Sequence, residues 1–136
     1  MSTLRSLRGA SPAAVTKALP AAAANNTSAS IDLGVTSPGL AVEEFDVKVS
    51  VPALPALVEA KTVTIKFQDS ANNTDFADIA ELSSLVITGG TGNGAAATSR
   101  TVKLPPTVRR YIAINQAVLT AGGDNTGVST TLELLF

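Results

Sequence analysis

Between Lys61 and Ser70 the chain reads KTVTIKFQDS. Val63, Ile65 and Phe67 fall on one side, and Thr62, Thr64, Lys66 and Gln68 on the other. A period of two, with β-branched and aromatic residues on one side, predicts a strand with one face on a core and one in water. The following run, Asp69 to Asp75, is made of residues that hydrogen-bond their own backbone and so ends the strand.

The same pattern recurs along the chain. Ser28 to Leu33 alternates and stops at Gly34, and Val35 to Leu40 is a loop around Pro38-Gly39. Phe45, Val47, Val49 and Val51 alternate with Glu44, Asp46, Lys48 and Ser50 until Pro52 and Pro55 end the strand. Phe76, Ile79 and Leu82, spaced by three, fit a helical turn or a short extended stretch. Leu85-Val86-Ile87 is a short apolar run that predicts a buried strand. Thr88 to Ala97 is a Gly-rich loop. Thr101 to Leu104 is a strand ended by Pro105-Pro106. Ile112, Ile114 and Val118 share one face after Arg109-Arg110-Tyr111, and Ala121 to Asn125 is a turn. Val128, Thr130, Leu132, Leu134 and Phe136 alternate to the end, which places Phe136 inward in the last strand. Seven or eight short amphipathic strands without a long helix predict an all-β antiparallel β-sandwich, jelly-roll-like in its eight-stranded form. The connections are too short for crossover helices, so a doubly wound α/β fold is excluded.

Residues 1–27 follow a different pattern. They carry Arg5, Arg8 and Lys17 and no acid, are rich in Ala and Ser, and contain Pro12 and Pro20. This predicts a basic arm ahead of a sandwich domain at 28–136, either a flexible tail or a segment that orders only against a neighbour or an acidic partner surface. Ser11 to Leu19 has the N-cap and first-turn proline of one short helix. There is no continuous apolar region of the signal-peptide kind, while an acid-free Arg- and Ser-bearing start also fits an organellar transit peptide.

Charge narrows the classes. Only 15% of residues are charged, against about 25% in a typical domain, so the surface must be largely Thr, Ser, Asn, Ala and Gly and is cheap to desolvate. A net charge of −1 gives no field toward nucleic acid or anionic membrane, and no apolar run reaches the ~18–20 residues that cross a bilayer. Absence of Cys and His removes disulfides, thiolate and imidazole chemistry and the usual zinc ligand sets.

Few residues offer chemistry. Gly89 to Gly94 lacks the Lys of a phosphate-binding loop. Asp69, Asp75 and Asp78 lack calcium-loop spacing and read as turn caps. Glu44 and Asp46 share a solvated strand face, so neither carboxyl is set apart in an apolar pocket as a glycosidase pair requires. Arg109, Arg110 and Tyr111 predict hydrogen bonds at a sheet edge or subunit contact. No catalytic residue, metal site or cofactor is expected.

The order of several short blocks resembles the head decoration (cement) proteins of tailed bacteriophages. The blocks are Ile31-Asp32-Leu33-Gly34, then Thr62 to Ser70 followed by Asn73-Thr74-Asp75-Phe76, then Leu104-Pro105-Pro106, Arg110-Tyr111-Ile112 and Thr131 to Leu135. The resemblance covers Ser28 to Phe136; the basic arm departs from it. It implies a jelly-roll-like sandwich on the outer surface of the capsid, self-associating as a dimer or trimer and clamping neighbouring major capsid protein subunits, with no catalytic residues to carry over. Candidate partner contacts are then Arg5, Arg8 and Lys17 of the arm, the polar face Thr62, Thr64 and Lys66, and Arg109, Arg110 and Tyr111. The rival is a host-receptor or carbohydrate-binding sandwich, against which the absence of Trp and the single Tyr111 count.

Overall fold

The computed structural model describes residues 14–33 and 46–135. Among them lie ten strands: β1 (Ala14–Ala18), β2 (Asn25–Thr27), β3 (Ile31–Asp32), β4 (Asp46–Val51), β5 (Thr62–Ser70), β6 (Ala77–Asp78), β7 (Leu85–Thr88), β8 (Thr98–Lys103), β9 (Tyr111–Val118) and β10 (Ser129–Leu135). They form two sheets. Sheet A has β9 and β5 at its centre, with β2 and β3 end to end along β9 and β6 and β7 end to end along β5. Sheet B has the order β1-β10-β4-β8. All the strand pairings are antiparallel.

Counting each end-to-end pair as one position leaves eight positions in chain order. The first pairs with the eighth, the second with the seventh, the third with the sixth and the fourth with the fifth. That is one long hairpin. Pairing of β10 with β4 and of β9 with β5 winds it into two stacked layers. The chain is thus a jelly-roll β-sandwich, as its strand pattern predicted.

The core follows from period two. Val63, Ile65 and Phe67 of β5 and Ile112, Ile114 and Val118 of β9 are buried on the inner face of sheet A. Val47, Val49 and Val51 of β4 and Leu132 and Leu134 of β10 face them from sheet B. Each such side chain contributes about 1.5–3 kcal/mol when fully withdrawn from water.

Two expectations are corrected. The boundary at 27/28 does not hold: β1 pairs with β10 and β2 with β9, so residues 14–27 belong to the sheets. The short helix expected over Ser11 to Leu19 is replaced, from Ala14, by strand β1. The reason is tertiary: Val15 and Leu19 are buried in the core, and β10 offers β1 a row of backbone partners that a helix would leave unmet. The segment with two readings, Phe76 to Leu82, is extended at β6, with the Ile79 amide donating to the Phe67 carbonyl at 2.9 Å. The predicted loop at Val35 to Leu40, and the expectations for Arg5, Arg8, Phe45 and Phe136, lie outside the described residues.

Candidate functional site: the outer face of sheet A

The residues of β5 that point away from the core are Thr62, Thr64, Lys66 and Gln68. Register places them between neighbours of the same face: Thr62 beside Thr88, Thr64 between Val86 and Ala117, Lys66 beside Asn115, and Gln68 between Asp78 and Ala113. Asn25 and Thr27 of β2 extend the rows beyond Ala117 and Asn115. The result is a broad face of hydroxyl, amide and small apolar groups. Asn115 donates to Thr27 Oγ1 at 3.1 Å, and Gln68 Nε2 to Asp78 Oδ1 at 2.9 Å.

Two side chains stand out. Val86 is 54% exposed and Leu119 47%, the exposed large hydrophobics of the described residues. They flank β5: Val86 lies opposite Thr64 on one side, and the Leu119 amide donates to the Thr62 carbonyl at 2.9 Å on the other. The apolar run Leu85-Val86-Ile87, read from sequence as a buried strand, instead alternates, because β7 is half-buried with one face on the core. Beside Thr64, the small residues Ala23, Ala24 and Ala117 leave a shallow depression of about 270 Å³ that Thr62 and Leu119 also line.

Charge on both outer faces occurs in opposed pairs. On sheet A, Lys66 lies 3.6 Å from Asp78, and the Arg110 guanidinium meets Asp32 at 2.8 and 3.0 Å. That contact, with a smaller contribution from Tyr111, raises the Arg110 pKa above its ordinary value. On sheet B, Lys103 lies 3.3 Å from Asp46, and Lys48 stands opposite Glu133 in register. Next to the Lys48–Glu133 row, on the side away from Asp46 and Lys103, runs a row of hydroxyls, Thr16, Thr131, Ser50 and Ser99. It borders a wide depression of about 640 Å³.

The other candidates fall as follows. Lys17 is exposed on β1, and its carbonyl accepts from Gln116. Arg109 is not presented outward as a free contact group. Its Nε and one terminal nitrogen donate to Asp69 Oδ1 at 3.0 and 2.8 Å, and its backbone amide donates to Asp69 Oδ2 at 3.0 Å. Arg110 lies 5.2 Å above the Tyr111 ring, a cation–π distance, so one face of this half-buried ring is taken by the guanidinium. The three Asp residues do not converge. Asp69 sits on the inner side opposite Ile112, Asp78 on the outer face, and Asp75 accepts from Asn72. Among the described residues no three His, Cys, Asp or Glu side chains group as metal ligands. The Gly-rich loop is closed on itself: the Gly90 amide bonds the Gly94 carbonyl, and the Gly94 amide bonds Leu57.

Sequence reasoning missed two features. Gln116 is fully buried on the inner face of β9, where its place in the Ile112, Ile114, Val118 series was the available signal. Arg100 also lies on the inner parity, opposite Val49, and donates to the carbonyls of Ser83 and Ser84, each at 2.9 Å.

The sequence matches no protein-family model and no curated protein sequence. The fold is similar to that of PBSX exported protein XepA, with a TM-score of 0.52, 14% identity, and coverage of 91% of this chain and 37% of XepA. The chain therefore spans little more than a third of XepA's length. A pilus protein of Bacillus endospore appendages, described as forming disulfide-linked pili, aligns with a TM-score of 0.44 and 16% identity over 90% of this chain and 83% of its own. The XepA likeness supports the fold of the chain.

Proposed function

We propose that this is a structural, non-catalytic protein of a tailed-phage particle that binds the outer surface of the capsid and reinforces it, self-associating as it does so. The observation that carries the reading is the paired charge on both outer faces. A face whose Lys and Arg groups already stand beside Asp or Glu can be covered by another protein without stranding a charge, which is otherwise the main cost of burying a surface. The hydroxyl face of sheet B, Thr16 to Ser99, is assigned to the major capsid protein. The outer face of sheet A is assigned to neighbouring copies. On a repeating lattice, contacts of modest strength hold through effective concentration. The likeness to PBSX exported protein XepA supports the sandwich fold on which this reading is built. No nucleic acid, membrane or cofactor enters this reading.

The test is made on particles. Deleting the gene from the phage or prophage that carries it should leave particles that release DNA at a lower temperature. Adding the purified chain back should restore heat resistance, with density on the shell in cryo-electron micrographs. A Thr131→Glu variant, folded normally, should coat at least tenfold less well. Particles that never contain the protein, or that carry it on the tail, overturn the reading.

A further inference from the structure

We infer that the outer face of sheet A is self-complementary, and that a second copy of this chain docks on it about a two-fold axis running along β5 over Thr64. The inference rests on the self-associating part of the proposed function and names its surface.

The register supplies the geometry. Val86, Thr64, Ala117 and Asn25 form one row across four strand positions. Val86, more than half exposed, is a knob one strand to one side of β5. The depression lined by Ala24, Thr64 and Ala117 is a hollow one strand to the other side. A half-turn about an axis lying along β5 exchanges those two sides. It sets Val86 of each copy over Ala117 of the other and brings Thr64 against its own copy. In the adjacent row it sets Leu119 over Thr88. An isologous interface requires this reciprocity, residue i on j and j on i. A foreign partner would need either a knob or a hollow; both together, equidistant from one strand, fit a copy of the same face.

Charge permits the contact. The Val86 row holds no ionisable group. Lys66, next along β5, is drawn sideways to Asp78, away from the axis and from its own twin. The size sets the strength. β5 has nine residues, so four strand positions give a face of roughly 19 by 30 Å, on the order of 570 Å² per copy. A stable specific interface uses about 800 Å² per partner. The pair is therefore weak in dilute solution and fills on a crowded lattice.

Sedimentation equilibrium on the full chain tests this, with circular dichroism and thermal unfolding to confirm that each variant is folded. The wild type should show a concentration-dependent monomer–dimer equilibrium. Val86→Lys and Ala117→Glu should each weaken it at least tenfold. Both changes in one chain, or an equimolar mixture of the two single variants, should restore it to within about threefold, because each Lys then lies over a Glu of the other copy. Thr64→Glu, which sets two like charges on the axis, should weaken it as well and serves if either strand variant fails to fold. A chain that stays monomeric to millimolar concentration, a dimer indifferent to all three single changes, or a double variant that does not recover overturns the inference. Particle binding separates this result from the wider reading: a monomer that still coats particles sinks the dimer alone, whereas a dimer that never binds them sinks the proposed function alone.

Discussion

Gln116 of β9 and Thr130 of β10 meet by a side-chain hydrogen bond across the interior, joining the two sheets, and neither is exposed. Gln116 Nε2 also donates to Asn26 Oδ1 at 3.1 Å and to the carbonyls of Ala18 and Lys17 at 3.3 and 3.4 Å. One amide thus ties β9, β10, β1 and β2 together at one side of the sandwich.

Gln116→Ala should therefore cost more than its lost volume, because the Thr130 hydroxyl and carbonyls of β1 lose a buried partner. About 2–4 kcal/mol is expected. Gln116→Leu with Thr130→Val removes donor and acceptor together and should cost less than the sum of its parts. Urea unfolding of the two single variants and the double variant measures the coupling; strict additivity would contradict a shared network.

Asp69 and Arg109 tie the end of β5 to the loop before β9. Asp69 is buried, yet it receives the Arg109 fork and backbone amide as well as lying beside the core. Asp69→Ala should destabilise by about 2–3 kcal/mol, the cost of orphaning a charge-assisted set. Asp69→Asn should cost less, since it can keep the contact to the amide. Equal losses in thermal unfolding would argue that packing alone holds this corner.

The sheet-forming pattern was open to reading where one strand buried several β-branched residues in alternation. β5, β4 and β10 are of that kind, and their inner faces are as expected. β1 was not legible, because AVTKA buries only Val15 of its five residues; its strand form depends on β10, more than a hundred residues later. Val86 misled because an apolar triplet looks the same whether one or both faces of a strand are covered. The outer face of sheet A is legible in part: Thr62, Thr64 and Lys66 stand out in the alternation, but the exposure of Val86 and the hollow beside Ala117 depend on which strands flank β5. Arg109 and Asp69 lie 40 residues apart, beyond any local pattern.

Arg100 guards an edge. It is on β8, the outer strand of sheet B, with inward parity, and its guanidinium holds two carbonyls ahead of β7. An inward charge on an edge strand discourages pairing with another chain. Arg100→Met should keep the packing of the stem, lower stability by about 1–2 kcal/mol and raise aggregation. Light scattering during storage at millimolar concentration is the measurement; an unchanged, clear solution would remove the guard role.

Gly123 shows how tightly the loops at one end are built. Its φ is +89°, and a Cβ there would lie 2.2 Å from the Ala56 carbonyl oxygen. Gly123→Ala combines left-handed backbone strain with a clash against main chain, so a loss of about 2 kcal/mol or more is expected. Gly127→Ala, where an added Cβ would meet nothing within 4 Å, is the control and should be close to neutral in the same melts.

Asp124 supplies a pH dependence. Its Oδ1 accepts from the Thr126 hydroxyl at 2.6 Å and from the Thr126 amide at 3.1 Å, and these bonds, the hydroxyl first, hold its pKa below the ordinary value of 3.8. A depressed folded pKa means that the unfolded chain takes up the proton first as pH falls. The stabilising contribution is thus fully present above the unfolded pKa and is lost as pH drops through the folded one. Asp124→Asn keeps an acceptor but cannot titrate. The wild-type advantage over this variant should be constant above about pH 5 and should shrink as pH falls below the ordinary carboxylate value of about 4. Urea midpoints across that range decide it: a difference that stays flat into acid, or that grows, would mean the Thr126 bonds do not favour the charged carboxylate.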